Sequence, residues 1–568
     1  MMLIEMVGPV PRGPVMRNEA GRPEGPKAVR GAPLQSVSVE NEVPKYSPFR
    51  PLAPGDGWIP PTNVRYTAED EWTPMIAVDA NGVLWATNNC VWASYNGYYS
   101  TVEICRSTDQ GSTWTRTNYI YLTGVDLGDP VIAIDVGRNP NKMYLSFWAD
   151  YFTDYDMAWA TYDISGTSLT NFSSGWLESS PSYNSGPSIA MVERGYATNY
   201  AFIAWEFQSG SQYSIRVART TNYGSSWSIL DAYAPFSGWY CGQVWGNAGN
   251  NTNPCVLINY KLNIGSSSWS TATVAGLLVS TDRGASWPIN WQANFSPNYI
   301  FQTASAIGFG TNYVVWAIQV NPNSSDGNIY IYYSTDRCAS WSTGYYLEND
   351  MITPKDSRMP IVYADGMQQT NFTSRYFYIG FYRETNSLSG IGNYFFKMAP
   401  VSSASSASSW IKPPNADTFA IANENQYSVK ESNWAQLHLT SFIRNGGYTP
   451  GLVWNHEYSS TDHDIHFTRT LDPLYEDIGE DAGSSEFYAR QIGGPSGDKL
   501  LLEIGLPEGG LVNLTIYEPT GRTMFSDELN LSAGVHRIQK DIHGLSPGVY
   551  FLRVSAQMGE VMGKIMVR

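Results

Sequence analysis

Between residues 62 and 476 short apolar runs alternate with turns rich in Gly, Ser, Asn and Thr, and none has the length or period of an amphipathic helix. One run recurs: Thr-Pro-Met-Ile-Ala-Val-Asp from 73, Asp-Pro-Val-Ile-Ala-Ile-Asp from 129, Gly-Pro-Ser-Ile-Ala-Met-Val from 186, Asn-Pro-Cys-Val-Leu-Ile-Asn from 253 and Met-Pro-Ile-Val-Tyr-Ala-Asp from 359. A weaker copy starts at 304. Each reads as a short buried strand opened by a residue that needs no ladder N–H, where proline is tolerated. A second strand follows most copies and carries an aromatic, as in Val-Leu-Trp-Ala at 83, Phe-Ile-Ala-Trp at 202, Tyr-Val-Val-Trp at 313 and Gly-Leu-Val-Trp at 451. Counting these runs predicts about seven units of roughly four strands each.

A separate eight-residue phrase recurs out of phase with the first. It reads Ser-Thr-Asp-Gln-Gly-Ser-Thr-Trp at 107–114, Thr-Thr-Asn-Tyr-Gly-Ser-Ser-Trp at 220–227, Ser-Thr-Asp-Arg-Gly-Ala-Ser-Trp at 280–287 and Ser-Thr-Asp-Arg-Cys-Ala-Ser-Trp at 334–341. Its fifth position falls at intervals of 113, 60 and 54, the first being two units. The chemistry is that of a tight turn between strands. Asp109, Asn222, Asp282 and Asp336 accept backbone N–H bonds, Gly111, Gly224 and Gly284 supply a positive φ, and Trp114, Trp227, Trp287 and Trp341 pack between sheets. The phrase resembles the Asp box of sialidase-type, BNR-repeat β-propellers. That resemblance implies an all-β fold, a propeller of six or seven blades with seven preferred. It specifies function poorly, since such propellers include sialidases, other glycosidases, sorting receptors and non-catalytic binding proteins.

After an acidic stretch, Tyr475-Glu-Asp-Ile-Gly-Glu-Asp-Ala-Gly483, the last 75 residues or so alternate apolar and polar positions between Gly and Pro turns, which predicts a small antiparallel sandwich. The ordered phrases Leu-Pro-Glu-Gly-Gly, Ile-Tyr-x-x-x-Gly-Arg, Ser-Ala-Gly-x-His and Leu-Ser-Pro-Gly-Val-Tyr-Phe-Leu-Arg-Val are similar to the sorting domain of the bacterial type IX secretion system, related to FlgD-type immunoglobulin-like domains. This implies export, with the secretion machinery as a partner and the outer-membrane surface or the medium as destination. The expected organisation is a disordered leader over 1–61 with an incomplete N-terminus, a propeller over 62–476, an acidic linker over 477–493 and a sorting domain over 494–568. Residues 1–61 lack the basic segment and the apolar run of about 7 to 15 residues of a signal peptide.

Composition narrows the partners. A net charge of -16 argues against nucleic acid and anionic membranes, and no apolar stretch reaches the ~20 residues that span a bilayer. Among five cysteines, Cys90 with Cys105 and Cys241 with Cys255 either bridge or stay as buried thiols, while Cys338, in the turn-glycine position, stays free. No phosphate loop, CxxC pair or nucleophile elbow is present, and His463 and His466 point to opposite faces of a strand, so no cofactor or metal is indicated.

In a propeller of this kind the loops entering the first strands and leaving the second strands share one face, opposite the Asp boxes. Entering are Asp126, Asp129, Asn184, Asn253, Gln302, Asp356 and Arg358. Leaving are Trp148 with Asp150, Trp205 with Glu206, Trp316 with Gln319, Tyr382 with Arg383 and Glu384, and Trp454 with His456 and Glu457. Aromatics beside carboxylates and amides suit a sugar, although a propeller tryptophan also serves as packing between blades. Asp126, Asp129, Glu206 and Arg358 are the catalytic candidates. Trp148, Asp150, Trp205, Trp316, Asp356, Arg383, Trp454 and Glu457 are the ligand-binding candidates. The sialidase resemblance implies an Arg-Ile-Pro phrase in the first unit, but Trp72-Thr73-Pro74 stands there, and the nearest match is Arg358-Met-Pro360 in the sixth. The reading is therefore an exported propeller that binds glycans or surface macromolecules, with a glycoside hydrolase using paired carboxylates as alternative and a structural surface-layer protein as a third.

Overall fold

The computed structural model describes residues 32–42, 53–65, 70–92, 99–151, 155–179, 183–192, 199–248, 255–267, 271–323, 326–347, 357–366, 373–384, 391–425 without 415 and 417, 437–444, 447–459, 462–476, 488–491, 499–506, 510–531, 534–557 without 543 and 547, and 559–567. These residues are all-β and antiparallel, with a single 3-10 turn at Ala407–Ser409. They fall into two units, residues 1–442 with 450–469, and residues 443–449 with 470–568.

Seven sheets follow one another along the chain up to residue 469, and in four of them the strands add strictly in sequence order, while the first, sixth and seventh each take one strand from the start of the chain. Their first strands are Asp70–Val78, Asp126–Asp135, Tyr183–Val192, Tyr240–Ala248, Tyr299–Ile307, Ser357–Ala364 and Leu437–Arg444. The seventh sheet takes its outermost strand from the start of the chain: Thr62–Arg65 pairs with Asp462–Arg469 in the register Thr62↔Phe467. Gln35–Glu42 likewise adds to the first sheet and Ala53–Pro54 to the sixth.

Each sheet touches the next. The hydrophobic clusters lie across the junctions, as where Phe202 and Ile215 of the third sheet meet Val256 and Ile258 of the fourth. Another places Val64, Ile465 and Phe467 of the seventh sheet against Ile76, Val78 and Cys105 of the first, so the last sheet packs on the first. Tyr394 and Trp454, 5.6 Å apart, join the sixth to the seventh.

The proline-opened runs have a common backbone device. In the first strands of sheets one to six the register slips near the start, between Trp72 and Met75, Gly128 and Val131, Ser185 and Pro187, Gly242 and Trp245, Ile300 and Thr303, and Arg358 and Ile361. A bulge leaves a residue outside the ladder, which is where proline fits. Thr73, Asp129 and Met359, each before a proline, have φ of 50°, 46° and 54°. The copy at 253 is different. It leads into Val256–Asn263, the second strand of its sheet, and Asn253 itself lies outside the described residues.

The four turn phrases repeat one hydrogen-bond scheme. The N–H groups of Thr113, Ser226, Ser286 and Ser340 donate to Oδ1 of Asp109, Asn222, Asp282 and Asp336 at 2.8–2.9 Å. The N–H groups of Gly111, Gly224, Gly284 and Cys338 donate to the hydroxyls of Ser107, Thr220, Ser280 and Ser334 at 2.7–3.0 Å. Burial opposes ionisation of Asp109, Asp282 and Asp336, yet hydrogen bonds outweigh it, first from the hydroxyls of Thr113, Ser286 and Ser340 and then from backbone N–H groups and the hydroxyls of Ser107, Ser280 and Ser334, and hold the three carboxyls below their usual value. Each turn also wedges against the preceding sheet. A Cβ on Gly111 would meet Phe467 at 2.1 Å, one on Gly224 would meet Thr161 at 3.0 Å, and one on Gly284 would meet Phe202 at 2.4 Å. Trp114 is buried against Phe467, and Trp227, Trp287 and Trp341 are half-buried.

All five cysteines are free and buried, so the bridged alternative does not hold. Cys90 faces Thr101 and Cys105 faces Ala86, several rungs apart, while Cys241 faces Leu262 and Cys255 precedes the other end of that same strand. Cys338 keeps the turn at a φ of 66°.

In the second unit, Tyr488–Gln491, Lys499–Leu506 and Gly534–Asp541 form one sheet, and Thr523–Leu531, Gly510–Tyr517, Gly548–Ala556 and Gly559–Val567 form another. Alternate residues Leu500, Leu502 and Ile504 of the first and Val512, Leu514, Ile516, Leu552 and Val554 of the second share one core.

Two outcomes are expected. Gly284→Ala combines an unfavourable φ with the Phe202 contact, and should cost about 2 kcal/mol in denaturant unfolding, in the range of overpacked cores. Asp365 is fully buried, and burial pushes its carboxyl up to about 8 despite N–H bonds from Arg375 and Tyr376. A folded value above the unfolded ~3.9 contributes stability below that pH and loses it as pH rises towards the folded value. Unfolding midpoints of Asp365→Asn should therefore gain on the wild type from about pH 4 to about pH 8, by on the order of a few kcal/mol.

Candidate functional site

The third strand of each turn-bearing sheet runs into its turn, so the first strands begin and the second strands end at the opposite end of the sheets. Here buried polar side chains link successive sheets. From the first sheet, Ser100 N–H donates to Asp126 Oδ1 at 2.8 Å and its hydroxyl to Leu127 O at 2.5 Å. From the third, Glu206 Oε2 accepts the Tyr240 hydroxyl at 3.0 Å. Lys261 of the fourth donates to Phe301 O at 3.1 Å, and Gln319 of the fifth accepts Met359 N–H at 2.9 Å. Asn455 of the seventh donates to Glu71 O of the first at 2.7 Å.

The candidates divide by what surrounds them. In the second sheet Asp126 stands directly opposite Asp150, and Trp148 Nε1 donates to Asp129 Oδ2 at 2.7 Å. Asp129 and Asp150 are both buried. In the third, Trp205 and Glu206 are fully buried. Trp316 Nε1 donates to Thr303 Oγ1 at 2.6 Å, and Gln302 reaches Pro360 O at 3.5 Å. In the sixth sheet Ser357 faces Arg383 and Arg358 faces Tyr382, all buried. Trp454 and His456 lie within 6 Å of the His466 ring, at 5.8 and 4.9 Å. Asp356 falls outside the described residues, as do the side chains of Asn184, Glu384 and Glu457.

The four tryptophans expected to offer ring faces, Trp148, Trp205, Trp316 and Trp454, are 7%, 0%, 2% and 0% exposed. Their size suits them to fill the space between neighbouring strands and sheets, which leaves no ring face at the surface. What the end of the sheets exposes instead is an aromatic turn, Phe236 to Trp239, between the third and fourth sheets, with Phe236 75% exposed. Sequence patterns missed it, together with Tyr240 and Lys261, because the proline-opened run of the fourth sheet leads into its second strand and leaves the first, Tyr240–Ala248, unmarked. A lysine inside the apolar strand Val256–Asn263 was the available signal.

Charge is unevenly spread over this end. Among the described residues, Glu71, Asp126, Asp129, Asp150, Asp156, Glu206 and Asp464 belong to the first, second, third and seventh sheets, and Lys261, Arg358 and Arg383 to the fourth and sixth. Four histidines lie in the seventh. The His463 and Trp72 rings have centroids 3.7 Å apart with planes tilted by 37°, and His438 accepts Ile76 N–H at 3.4 Å while burial pushes it down to about 3, so its ring is neutral.

The family described as secretion system C-terminal sorting domain matches residues 494–568. The chain carries a type IX sorting domain. The protein is thus exported to the cell surface or the extracellular space, and its tail engages the secretion machinery. No curated protein is detectably similar in sequence. Among solved structures, a protein of unknown function from Dyadobacter fermentans is 10% identical, over 74% of this chain and 100% of that one, with a TM-score of 0.41. An ulvan lyase, described as a new family of polysaccharide lyase, is 8% identical over 71% and 95%, with a TM-score of 0.44. An α-L-arabinofuranosidase from Fusarium graminearum is 12% identical over 68% and 99%, with a TM-score of 0.35. No helix among the described residues is long and apolar enough to cross a membrane.

Gly242 permits the Glu206–Tyr240 contact, since a Cβ there would lie 2.1 Å from Glu206 Oε2 and 2.5 Å from the Tyr240 hydroxyl. Gly242→Ala should displace that pair and lower stability by about 2 kcal/mol, whereas Glu206→Gln, which keeps an acceptor, should cost less than half as much. Urea unfolding of both variants checks the order.

Proposed function

We propose that the sorting domain delivers a seven-bladed, sialidase-type propeller whose end opposite the Asp boxes binds glycans or other surface macromolecules. The seven consecutive sheets, the packing of the seventh on the first and the four repeated turns support the blade reading. The domains are then the propeller over 62–476, the linker over 477–493 and the sorting domain over 494–568, with two amendments: the expected disordered leader over 1–61 lends the strands Gln35–Glu42 and Ala53–Pro54 to the first and sixth sheets, and the end of the linker lends Tyr488–Gln491 to a sheet of the second unit.

The observation that carries the binding reading is the concentration of polar side chains at one end of the sheets, beside an exposed aromatic turn. Polar groups that reach hydroxyls and ring faces that cover C–H surfaces are the two requirements of a sugar site.

A second reading has its own observation. Asp126 and Asp150 are direct cross-strand partners, and in antiparallel pairs such residues have Cα atoms about 4.5–5.5 Å apart. That pairing places both carboxylates on the same face of one strand pair, and two carboxylates flanking the scissile bond are what a glycoside hydrolase needs.

Affinity electrophoresis of the full chain in gels containing plant, algal and bacterial polysaccharides should show retardation by at least one of them. Reducing-sugar release by the same protein is expected to stay at background. Release that Asp126→Asn and Asp150→Asn both abolish would replace the binding reading by the hydrolase. Neither retardation nor release across the panel would remove both.

A further inference from the structure

We propose that the turn Phe236-Ser237-Gly238-Trp239 is a stacking platform for an uncharged pyranose ring of the bound glycan; this deepens the binding reading and rests on it. Phe236 is 75% exposed, the highest value among the exposed large apolar side chains described. Its ring meets that of half-buried Trp239 edge to face, with centroids 5.2 Å apart and planes 77° apart. An exposed phenyl gains nothing from solvent, and a loose loop would let it fold down. This loop is not loose.

Trp239 N–H donates to Phe236 O at 3.0 Å, closing the turn, with Gly238 at a φ of 81° in its third position. Gly238 N–H donates to Ser211 O at 2.9 Å, and the Ser211 and Ser237 hydroxyls are 2.8 Å apart. Gln212 Nε2 donates to Pro235 O at 2.7 Å. The next residue, Tyr240, donates its N–H to Ser266 O at 2.7 Å, and its ring packs on Tyr213 at 5.2 Å. The turn is thus fixed to the loops that join the second and third strands of the third sheet, through Ser211, and of the fourth, through Ser266, and little ordering remains to be done when a ligand arrives.

The surroundings select the ligand. Residues 209–212, 234–239 and 264–267, which make up the platform and its supports, contain no charged side chain. Hydroxyls of Ser211 and Ser237 and the amide of Gln212 border the rings. Each hydroxyl has one donor and two acceptor positions, so the pair keeps capacity for a further partner. Flat C–H surface between hydroxyls, without charge, describes the face of a neutral hexose or pentose ring. Tyr240 joins the platform to Glu206, so a sugar stacked on Phe236 lies beside the end of the sheets where the polar side chains concentrate.

The test titrates the full chain with neutral cello-, xylo-, manno- and laminari-oligosaccharides, following tryptophan fluorescence and calorimetric heat at low and at physiological salt. The expected result is binding by at least one series, insensitive to salt, and weakened about tenfold in Phe236→Ala, as loss of about 1.4 kcal/mol of stacking requires. Phe236→Ala removes an exposed side chain and should leave the thermal midpoint unchanged, so a fall in affinity reports the contact; Phe236→Tyr should restore it. Binding that Phe236→Ala leaves intact overturns the platform while the wider reading stands. Binding confined to acidic oligosaccharides and lost with salt overturns it in favour of Arg358 and Arg383. A change of oligomeric state in Phe236→Ala would make the turn a protein contact instead. Failure of every neutral and acidic series to bind overturns the glycan reading itself.

Discussion

The seven sheets depend on how the last one is completed. Thr62–Arg65 supplies the outer strand of the seventh sheet, and its side chains tie that strand to the first. The Thr62 hydroxyl donates to Gly111 O at 2.7 Å and receives Trp114 Nε1 at 3.2 Å, which fixes it to the first turn. Arg65 Nε lies 2.5 Å from Glu103 Oε2, and Arg116 Nη1 lies 2.6 Å from Glu103 Oε1, all three side chains being almost without solvent. A buried carboxylate of this kind needs its partners, since removing one from such a group costs about 3–5 kcal/mol. The pairing therefore specifies which strand belongs at the edge, beyond any net gain in stability. Val64, fully buried between the two arms of this contact, adds the apolar part.

Given that frame, the same two contacts recur at junction after junction. On one side, the turns press a glycine or Cys338 towards the preceding sheet. On the other, Asp126, Glu206, Lys261, Gln319 and Asn455 cross to the neighbouring sheet. Several residues that look like ligand contacts in the sequence thus have structural work of their own, and a site at this end is built over them. This explains why so much charge is buried in a chain with only 15% charged residues. Each group is held by a specific partner, as buried polar groups must be.

Much of the fold was legible because it is repeated. The eight-residue phrases and the proline-opened runs gave the strand order of most sheets, and alternate apolar positions gave the C-terminal core. The failures have one cause. The fourth sheet uses Tyr240–Ala248 and Val256–Asn263 without a proline-opened first strand, so the run at 253 points to the wrong strand, and no repeat marks the turn ahead of it, with Phe236. The site was less legible than the fold. Composition says that a tryptophan and a carboxylate share an end of a strand, but only packing says that Trp205 has no exposed ring face while Phe236 is open. Cysteine spacing likewise cannot report that Cys90 and Cys105 face Thr101 and Ala86.

The pairing of Thr62 with Phe467 encloses some four hundred residues in a single loop. Such contacts form late, because the entropy of closing the loop is lost before the contact rewards it. Until then Asp462–Arg469 is an edge strand with unfilled backbone positions, and the matching segment of any other copy is chemically identical to its own. At high concentration two unfinished chains can exchange the N-terminal segment that carries Gln35–Glu42, Ala53–Pro54 and Thr62–Arg65 and complete each other's first, sixth and seventh sheets, a swapped dimer that keeps the strand pairings of the monomer.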